Sequence, residues 1–151
     1  MRFAVETIAQ CWDVGQALLE FHWREIALHQ DVIPLAPDKE SYEDLERHGQ
    51  LQLVTMRDDE GKLWGYHVSI IRPHLHYRTS LTAFTDVFYI HPDYRKGTSA
   101  AKLFKFAEAQ LAARGVQRMY ATSKLAFDLR PLFVFLGWTE IERVFVKLVE
   151  K

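Results

Sequence analysis

The stretch that decides the fold is Asp86-Val87-Phe88-Tyr89-Ile90-His91-Pro92-Asp93-Tyr94-Arg95-Lys96-Gly97-Thr98-Ser99-Ala100-Ala101-Lys102-Leu103-Phe104. Its first part reads as the end of a strand over 81–91, with Asp86, Phe88 and Ile90 on one face and Thr85, Val87 and Tyr89 on the other. Pro92 ends that strand, and a polar loop with two cations and a glycine follows. A helix is predicted over 98–114, because Ala100, Leu103, Phe104, Ala107 and Leu111 form one apolar stripe and Gly115 stands where a helix stops. Free amides of the loop and first helical turn converge at the helix start, where the helix dipole adds positive character. Small residues let an anion approach that backbone, so the segment reads as a phosphate or pyrophosphate cradle. The plainer reading is a surface loop that caps a helix. The loop has neither the Gly-Lys-Ser/Thr of a P-loop nor the spaced glycines of a dinucleotide fold.

Working outward, residues 51–56 and 63–71 read as a hairpin around Asp58-Asp59-Glu60-Gly61, and 116–122 as a further strand. A short helix over 130–136 stops at Gly137, and 141–149 reads as a final strand. Toward the N-terminus, 6–29 is predicted helical from Val14, Leu18, Phe21 and Leu28, widened by Trp12, Leu19, Trp23 and Ile26. Pro34 and Pro37 mark a loop, and Ser41-Tyr42-Glu43-Asp44 reads as a capping box for a short helix ending at Gly49. The order is helix, helix, three strands, helix, strand, helix, strand: a mixed α/β layer fold.

The 151 residues, 48% hydrophobic and 26% charged, suit one globular domain over 1–151, with no linker composition to divide it. Nineteen Lys and Arg against twenty Asp and Glu leave a net charge of -1, which argues against a dedicated nucleic-acid binder. Arg72, Arg78, Arg95, Lys96 and Lys102 lie near one another in sequence, but a cradle and a solvated helix face account for them. One cysteine, Cys11, excludes an internal disulfide and multi-cysteine metal sites. No apolar run has the length of a membrane span, and Glu6 brings a charge too early for a signal peptide, so a soluble, cytoplasmic protein is expected. His22, Glu25 and His29 share a helical face, which fits acceptor-pocket lining, ordinary packing or, least of all, a metal site; no metal is expected.

Strand, His91-Pro92-Asp93-Tyr94-Arg95-Lys96-Gly97, helix, strand, then Leu132-Phe133-Val134-Phe135-Leu136-Gly137-Trp138 resembles the GNAT superfamily of acyl-CoA-dependent N-acyltransferases. The likeness spans about residues 51–149. His22-Trp23-Arg24-Glu25, the hairpin from Gly61 to Tyr66, and His74 to Tyr77 make it most similar to phage-encoded members. The resemblance implies a central mixed, mostly antiparallel sheet flanked by helices.

It also implies acetyl-CoA as cosubstrate, direct acetyl transfer to an amine of a protein or small molecule, and host cytoplasm as the location if phage-encoded. By the same resemblance Phe88, Tyr89 and Ile90 would line the pantetheine arm, and Arg95, Lys96, Gly97, Thr98, Ser99 and Ala100 would hold the pyrophosphate. Ser99 stands where relatives commonly have glycine, and a left-handed backbone there would cost about 1 kcal/mol or more. The Ile90 amide would donate to the carbonyl oxygen. A general base is needed because an alkylamine is mostly protonated at neutral pH. Asp86, read as sharing a face with Phe88 and Ile90, is the candidate. Phe133 replaces the family's usual tyrosine, the leaving-group acid; Tyr120 is the candidate substitute. Ser123 and Phe133 are further cofactor contacts, and His22, Glu25, Lys124 and Asp128 are candidate acceptor contacts. The terminal strand can pair across a homodimer. The competing function is a catalytically inactive GNAT-fold binding or virion-associated protein, suggested by Phe133 and the altered loop.

Overall fold

The computed structural model describes residues 1–149. Among them are strands β1 (Arg2–Glu6), β2 (Leu51–Arg57), β3 (Leu63–His74), β4 (Tyr77–Ile90) and β5 (Val116–Tyr120), and helices α1 (Ile8–Ile26), α2 (Lys39–Arg47), α3 (Ser99–Ala113) and α4 (Arg130–Phe135). The sheet order is β1-β2-β3-β4-β5, antiparallel throughout except for the parallel pair β4–β5. This is the mixed, mostly antiparallel sheet with flanking helices that the resemblance implies.

Two apolar layers hold the helices on opposite faces. Ile8, Cys11 and Leu18 of α1 pack on Leu53, Tyr66, Val68 and Tyr89, with Tyr42 and Leu45 of α2 beside them. Leu103, Ala107 and Leu111 of α3 pack on Val54, Met56, Ile90, Ile71 and Ala83. Strand β2 is covered on both sides, so Leu51 through Met56 are all buried, and Gln52 spends its Nε2 on the Ala107 carbonyl at 3.0 Å. In β3, Gly65 is needed for close approach: a Cβ there would lie 3.0 Å from the Tyr89 carbonyl oxygen and 3.1 Å from Ile90.

Several local readings are corrected. Residues 2–6 form a strand that takes Glu6 from the predicted helix; at five residues it is too short for alternation alone to reveal, and its pairing with β2 makes it. Helix α1 starts later, behind a capping box of Thr7 and Gln10, and α2 is capped by Asp38, with Ser41 already inside it. Strands β3 and β4 run on past the predicted hairpin strand to a tight turn in which His74 faces Tyr77 and His76 sits at the tip. Ser99 opens α3 with ordinary helical backbone; the left-handed residue of the loop is Gly97, at φ +59°. Residues 139–149 form no strand in this chain.

The largest correction concerns β4. Val68 pairs with Val87 but Ser69 pairs with Thr85, so Asp86 is the extra residue of a β-bulge. The bulge breaks the alternation: Thr85 reaches His67 on the α3 side, whereas Asp86 and Val87 both turn toward α1 and α2. Asp86 therefore lies on the face opposite Phe88 and Ile90.

Candidate active site

Strands β4 and β5 pair only from Leu81–Val116 to Phe84–Tyr120 and then diverge. The opening between them is bounded by residues 85–90, the loop 91–98 and the segment after Tyr120. His91 donates its amide to the Trp64 carbonyl at 2.8 Å, so by the alternation of an antiparallel ladder Tyr89 bonds β3 while Phe88 and Ile90 turn their N–H and C=O groups into the opening. The α3 start lies across it. No main-chain acceptor takes the amides of Gly97, Thr98, Ala100 or Ala101 among the described residues, and Thr98 adds no side-chain cap. Lys96 and Thr98 are exposed beside them. Free amides, a glycine in a left-handed turn and a half-open sheet edge fit a pyrophosphate with an extended arm behind it.

Arg95 does something other than point at that cradle. Its Nη1 and Nη2 donate to Glu25 Oε1 and Oε2 at 2.6 and 2.7 Å, and its Nε donates to the Ile90 carbonyl at 2.6 Å. The guanidinium lies between the rings of Tyr89 and Phe127, 5.0 and 4.7 Å away. The Tyr89 hydroxyl donates to Glu25 Oε2 at 2.8 Å. Arg95, with help from Tyr89, holds the Glu25 carboxyl below its ordinary range despite some burial. Burial and then Glu25 push the Tyr89 hydroxyl up to about 12. Glu25, an expected acceptor contact, is thus spent on tying α1 to β4 and its loop.

His22 is corrected likewise. It is 6% exposed, stacks on Tyr89 at 4.7 Å and shares a 2.7 Å hydrogen bond between Nδ1 and the Tyr66 hydroxyl. Burial lowers it to about 4, so it is neutral at pH 7. It is a packed core residue.

Asp86 is exposed on the α1/α2 side, where the Tyr42 hydroxyl donates to its Oδ2 at 2.9 Å. Burial, then Asp86, raises the Tyr42 hydroxyl well above its ordinary value. An apolar cleft lined by Trp12, Gly15, Leu19, Pro37, Tyr42 and Val87 runs beside this pair between the helices and the sheet. Tyr120 is half-buried at the last β4–β5 pair and stacks on Phe84 at 5.2 Å. Phe133 packs against Trp138 and Phe104, with ring centres 5.1 and 5.4 Å away.

The segment after β5 spends two expected contacts locally. Ser123 Oγ donates to Asp128 Oδ1 at 3.2 Å and accepts from the Leu129 amide at 2.7 Å, while Asp128 Oδ1 accepts from the Arg130 amide at 2.8 Å. Both residues therefore brace the start of α4. Lys124 bridges to Phe127 in a tight turn that sets the Phe127 ring on Arg95. Sequence reasoning missed Tyr42, Tyr66 and Phe127. Each is an aromatic with a partner far away in the chain, and no local spacing marks it.

A family profile described as the acetyltransferase (GNAT) family matches residues 16–138. Curated protein sequences give no significant match. Among solved structures, an aminoglycoside acetyltransferase HMB0005 from an uncultured soil metagenomic sample superposes with a TM-score of 0.76 at 15% identity, covering 99% of this chain and 100% of that one. A ribosomal-protein-alanine N-acetyltransferase from Brucella melitensis biovar Abortus 2308 gives 0.71 at 16% identity, with coverage of 99% and 100%. AAC(6')-Iy in complex with the bisubstrate analog CoA-S-monomethyl-acetylneamine gives 0.66 at 18%, with 99% and 98% covered. At these identities the superpositions speak to the fold, and the profile match carries the membership. The strand–loop–helix cradle beside the opened sheet thus has its explanation: the chain belongs to the acetyltransferase (GNAT) family, with acetyl-CoA as cosubstrate.

Proposed function

We propose that this chain is a single-domain N-acetyltransferase whose acceptor amine approaches from the α1/α2 side and gives up its proton at Asp86. The observation that carries this reading is the bulge in β4, which sets Asp86 against Tyr42, a wall residue of the apolar cleft, while leaving the Phe88 and Ile90 backbone facing the opening. Acetyl-CoA supplies an activated acetyl group: the amine nitrogen bonds to its carbonyl carbon, the C–S bond breaks, and the amine's proton passes through a base to solvent or the departing thiolate. Gly97, Thr98, Ala100 and Ala101 would hold the pyrophosphate through their amides, with Lys96 as counter-charge.

The Ile90 amide donates to the oxygen on which negative charge grows, and a fixed backbone donor needs no reorganisation to do so. Asp86 accepts the proton that makes the acceptor nucleophilic, and Tyr42 holds the carboxylate in position. Tyr120, at the apex of the opening, is the donor for the thiolate; a thiol of pKa about 8.5 leaves tolerably without an acid, which accommodates Phe133. Lys124 stays in this reading as an exposed contact at the mouth. The apolar cleft supports an acceptor, in a protein or a small molecule, whose amine is flanked by an apolar group. Among the described residues no helix is long and apolar enough to cross a membrane, and neither membrane nor nucleic acid enters this reading. The phage-like motifs support a phage-encoded enzyme acting in the host cytoplasm. A second copy of the chain is the remaining partner.

A second reading, a GNAT-fold binding or virion-associated protein without turnover, draws support from Phe133, whose ring packs against Phe104 and Trp138 and carries no hydroxyl. Thermal midpoints with acetyl-CoA, free coenzyme A and ATP separate the two. Ligand at about 100 times its Kd stabilises by about 2.7 kcal/mol, which raises the midpoint by about 5–11 °C for a chain of this size. A rise with both coenzymes and none with ATP, followed by acetylation in a panel of apolar-flanked amines, supports the enzyme. No rise at saturating coenzyme overturns it in favour of the second reading.

A further inference from the structure

We propose that the acceptor is a zwitterion, an amine joined through an apolar spacer to a carboxylate or phosphate, and that Arg72, Thr82 and Arg118 hold its anionic end. Thr82 of β4 is the cross-strand neighbour of Arg72 in β3 and of Arg118 in β5, so the three side chains stand in one row on one face of the sheet. The next row toward the bulge is Ile70, Phe84 and Tyr120, and Asp86 follows on the same face. Ala83 packs on the α3 side, so this is the opposite face, the side from which the acceptor amine comes.

The row is rich in donors and short of acceptors. Among the described residues neither Arg72 nor Arg118 forms an ion pair. Each guanidinium lies over an aromatic ring instead, Arg72 5.0 Å from Phe84 and Arg118 4.8 Å from Tyr77. Arg118 Nε and Nη2 are shielded from solvent with no hydrogen-bond partner, and so is the hydroxyl of Thr82, a fully buried residue. Polar groups left in that state are costly, and an anion between the two guanidinium groups would give them a partner. Stacking on a ring leaves a guanidinium its in-plane N–H fork, so the aromatic contacts and an anion are compatible.

The placement of Asp86 then defines the ligand. It lies four residues beyond Thr82 in the chain, at most about 13 Å along the strand. The contact of Arg72 with Phe84 brings its guanidinium toward the bulge and shortens that span. The face thus sets cation and anion roughly 6–10 Å apart. Between them lies an aromatic floor of Phe84 and Tyr120, whose rings stack at 5.2 Å. That pattern complements a zwitterion with an apolar spacer and opposes a diamine, whose second ammonium would meet the arginines. The amine end of this inference rests on Asp86 as the base, whereas the anion site needs no turnover.

Acetyl transfer to ε-aminocaproate, hexylamine and diaminohexane, measured side by side in the wild type, Arg72→Gln and Arg118→Gln, tests it. In the wild type kcat/KM for ε-aminocaproate is expected about 10- to 100-fold above that for hexylamine, with diaminohexane poorest. The ratio of acid to hexylamine is expected to fall toward one in each variant, mainly through KM, and a ratio cancels any general loss of activity. Aminohexyl phosphate in place of the acid distinguishes a phosphate site from a carboxylate site. A wild-type ratio near one for both anions, or a ratio that survives in both variants, overturns the proposal. Binding is read separately from turnover by titrating the full chain with ε-aminocaproate and with hexylamine while following the arginine Nε–Hε NMR signals, assigned through the two variants. Movement of the Arg72 and Arg118 signals with the acid and not with hexylamine supports the anion site. Such movement with no acetylation of any amine would overturn the enzymatic reading and leave the anion site standing. Acetylation of hexylamine with neither arginine signal moved by the acid would do the reverse.

Discussion

Arg95 and Glu25, 70 residues apart in the chain, meet in a fork-to-fork pair with hydrogen bonds of 2.6 and 2.7 Å. Because Arg95 also donates to the Ile90 carbonyl, the pair fixes how the cradle loop leaves β4 and how α1 lies across the sheet. Planar bidentate geometry is what arginine provides and lysine does not.

Glu25→Ala removes the carboxylate and leaves a partly buried guanidinium unpaired. A loss of about 1–3 kcal/mol is expected, read as a midpoint lowered by about 2–4 °C per kcal/mol. Arg95→Lys is expected to weaken coenzyme binding as well, by loosening the loop. Thermal melts of both single variants and the double variant check this. Additive losses would contradict a direct coupling.

Asp86→Asn keeps the shape of the bulge and removes the base. The turnover number is expected to fall by about 10²- to 10⁴-fold with the Kd for acetyl-CoA unchanged. Tyr42→Phe, which removes only the hydrogen bond to Asp86, is expected to cost less than Asp86→Asn. Steady-state kinetics beside calorimetric titration separates the two quantities, and an unchanged turnover number in Asp86→Asn would rule Asp86 out as the base.

Two glycines differ in what they protect. At Gly97 a Cβ would meet nothing within 4 Å, but φ is +59°, so Gly97→Ala is expected to cost about 1–2 kcal/mol of local strain and weaken coenzyme binding. At Gly65 the backbone is ordinary and the space is not, so Gly65→Ala is expected to cost about 1–3 kcal/mol by pushing on the Tyr89 carbonyl and Ile90. Coenzyme titrations and melts of each variant should therefore diverge, with the binding loss concentrated in Gly97→Ala.

Stability should fall as the solution is acidified, in two stages. His22 and His67 are both lowered to about 4 by burial, so between pH 6.5 and 4 the unfolded chain binds protons that the folded chain refuses. Each contributes a slope of up to about 1.4 kcal/mol per pH unit in that window. Glu6, gripped by Arg57 through hydrogen bonds of 2.8 Å, is lowered to about 2; its contribution is complete above pH 4.5 and is lost from there down toward 2. Urea unfolding at pH 7, 5.5 and 4.5 measures the first stage, and His67→Gln should flatten it. Equal stability at pH 7 and 5 would show that neither histidine is held neutral by the fold.

The strand–loop–helix from Asp86 to Phe104 was legible because its signals are local. A proline that cannot continue a strand, a glycine for a left-handed turn and an apolar stripe on α3 each act within a few residues, and with the later Leu132–Trp138 run they were enough to indicate the family. The order of the central strands followed from alternation and turn residues in the same way. What local patterns cannot carry is any feature set by a partner far along the chain. The bulge at Asp86 exists because β3 holds Val68 and Ser69 in a register one residue short of β4, and that one residue reverses the face on which the candidate base stands. Arg95 reads as an anion ligand until α1 presents Glu25 to it, and His22 reads as a pocket residue until Tyr66 and Tyr89 close over it. The short strand β1 is made by β2, and the strand expected over 141–149 pairs with nothing among the described residues. Backbone propensity and spacing determined which elements form; only the packed structure decided which side chains remain free for chemistry, because a charged or aromatic group goes to whichever partner the fold brings within reach.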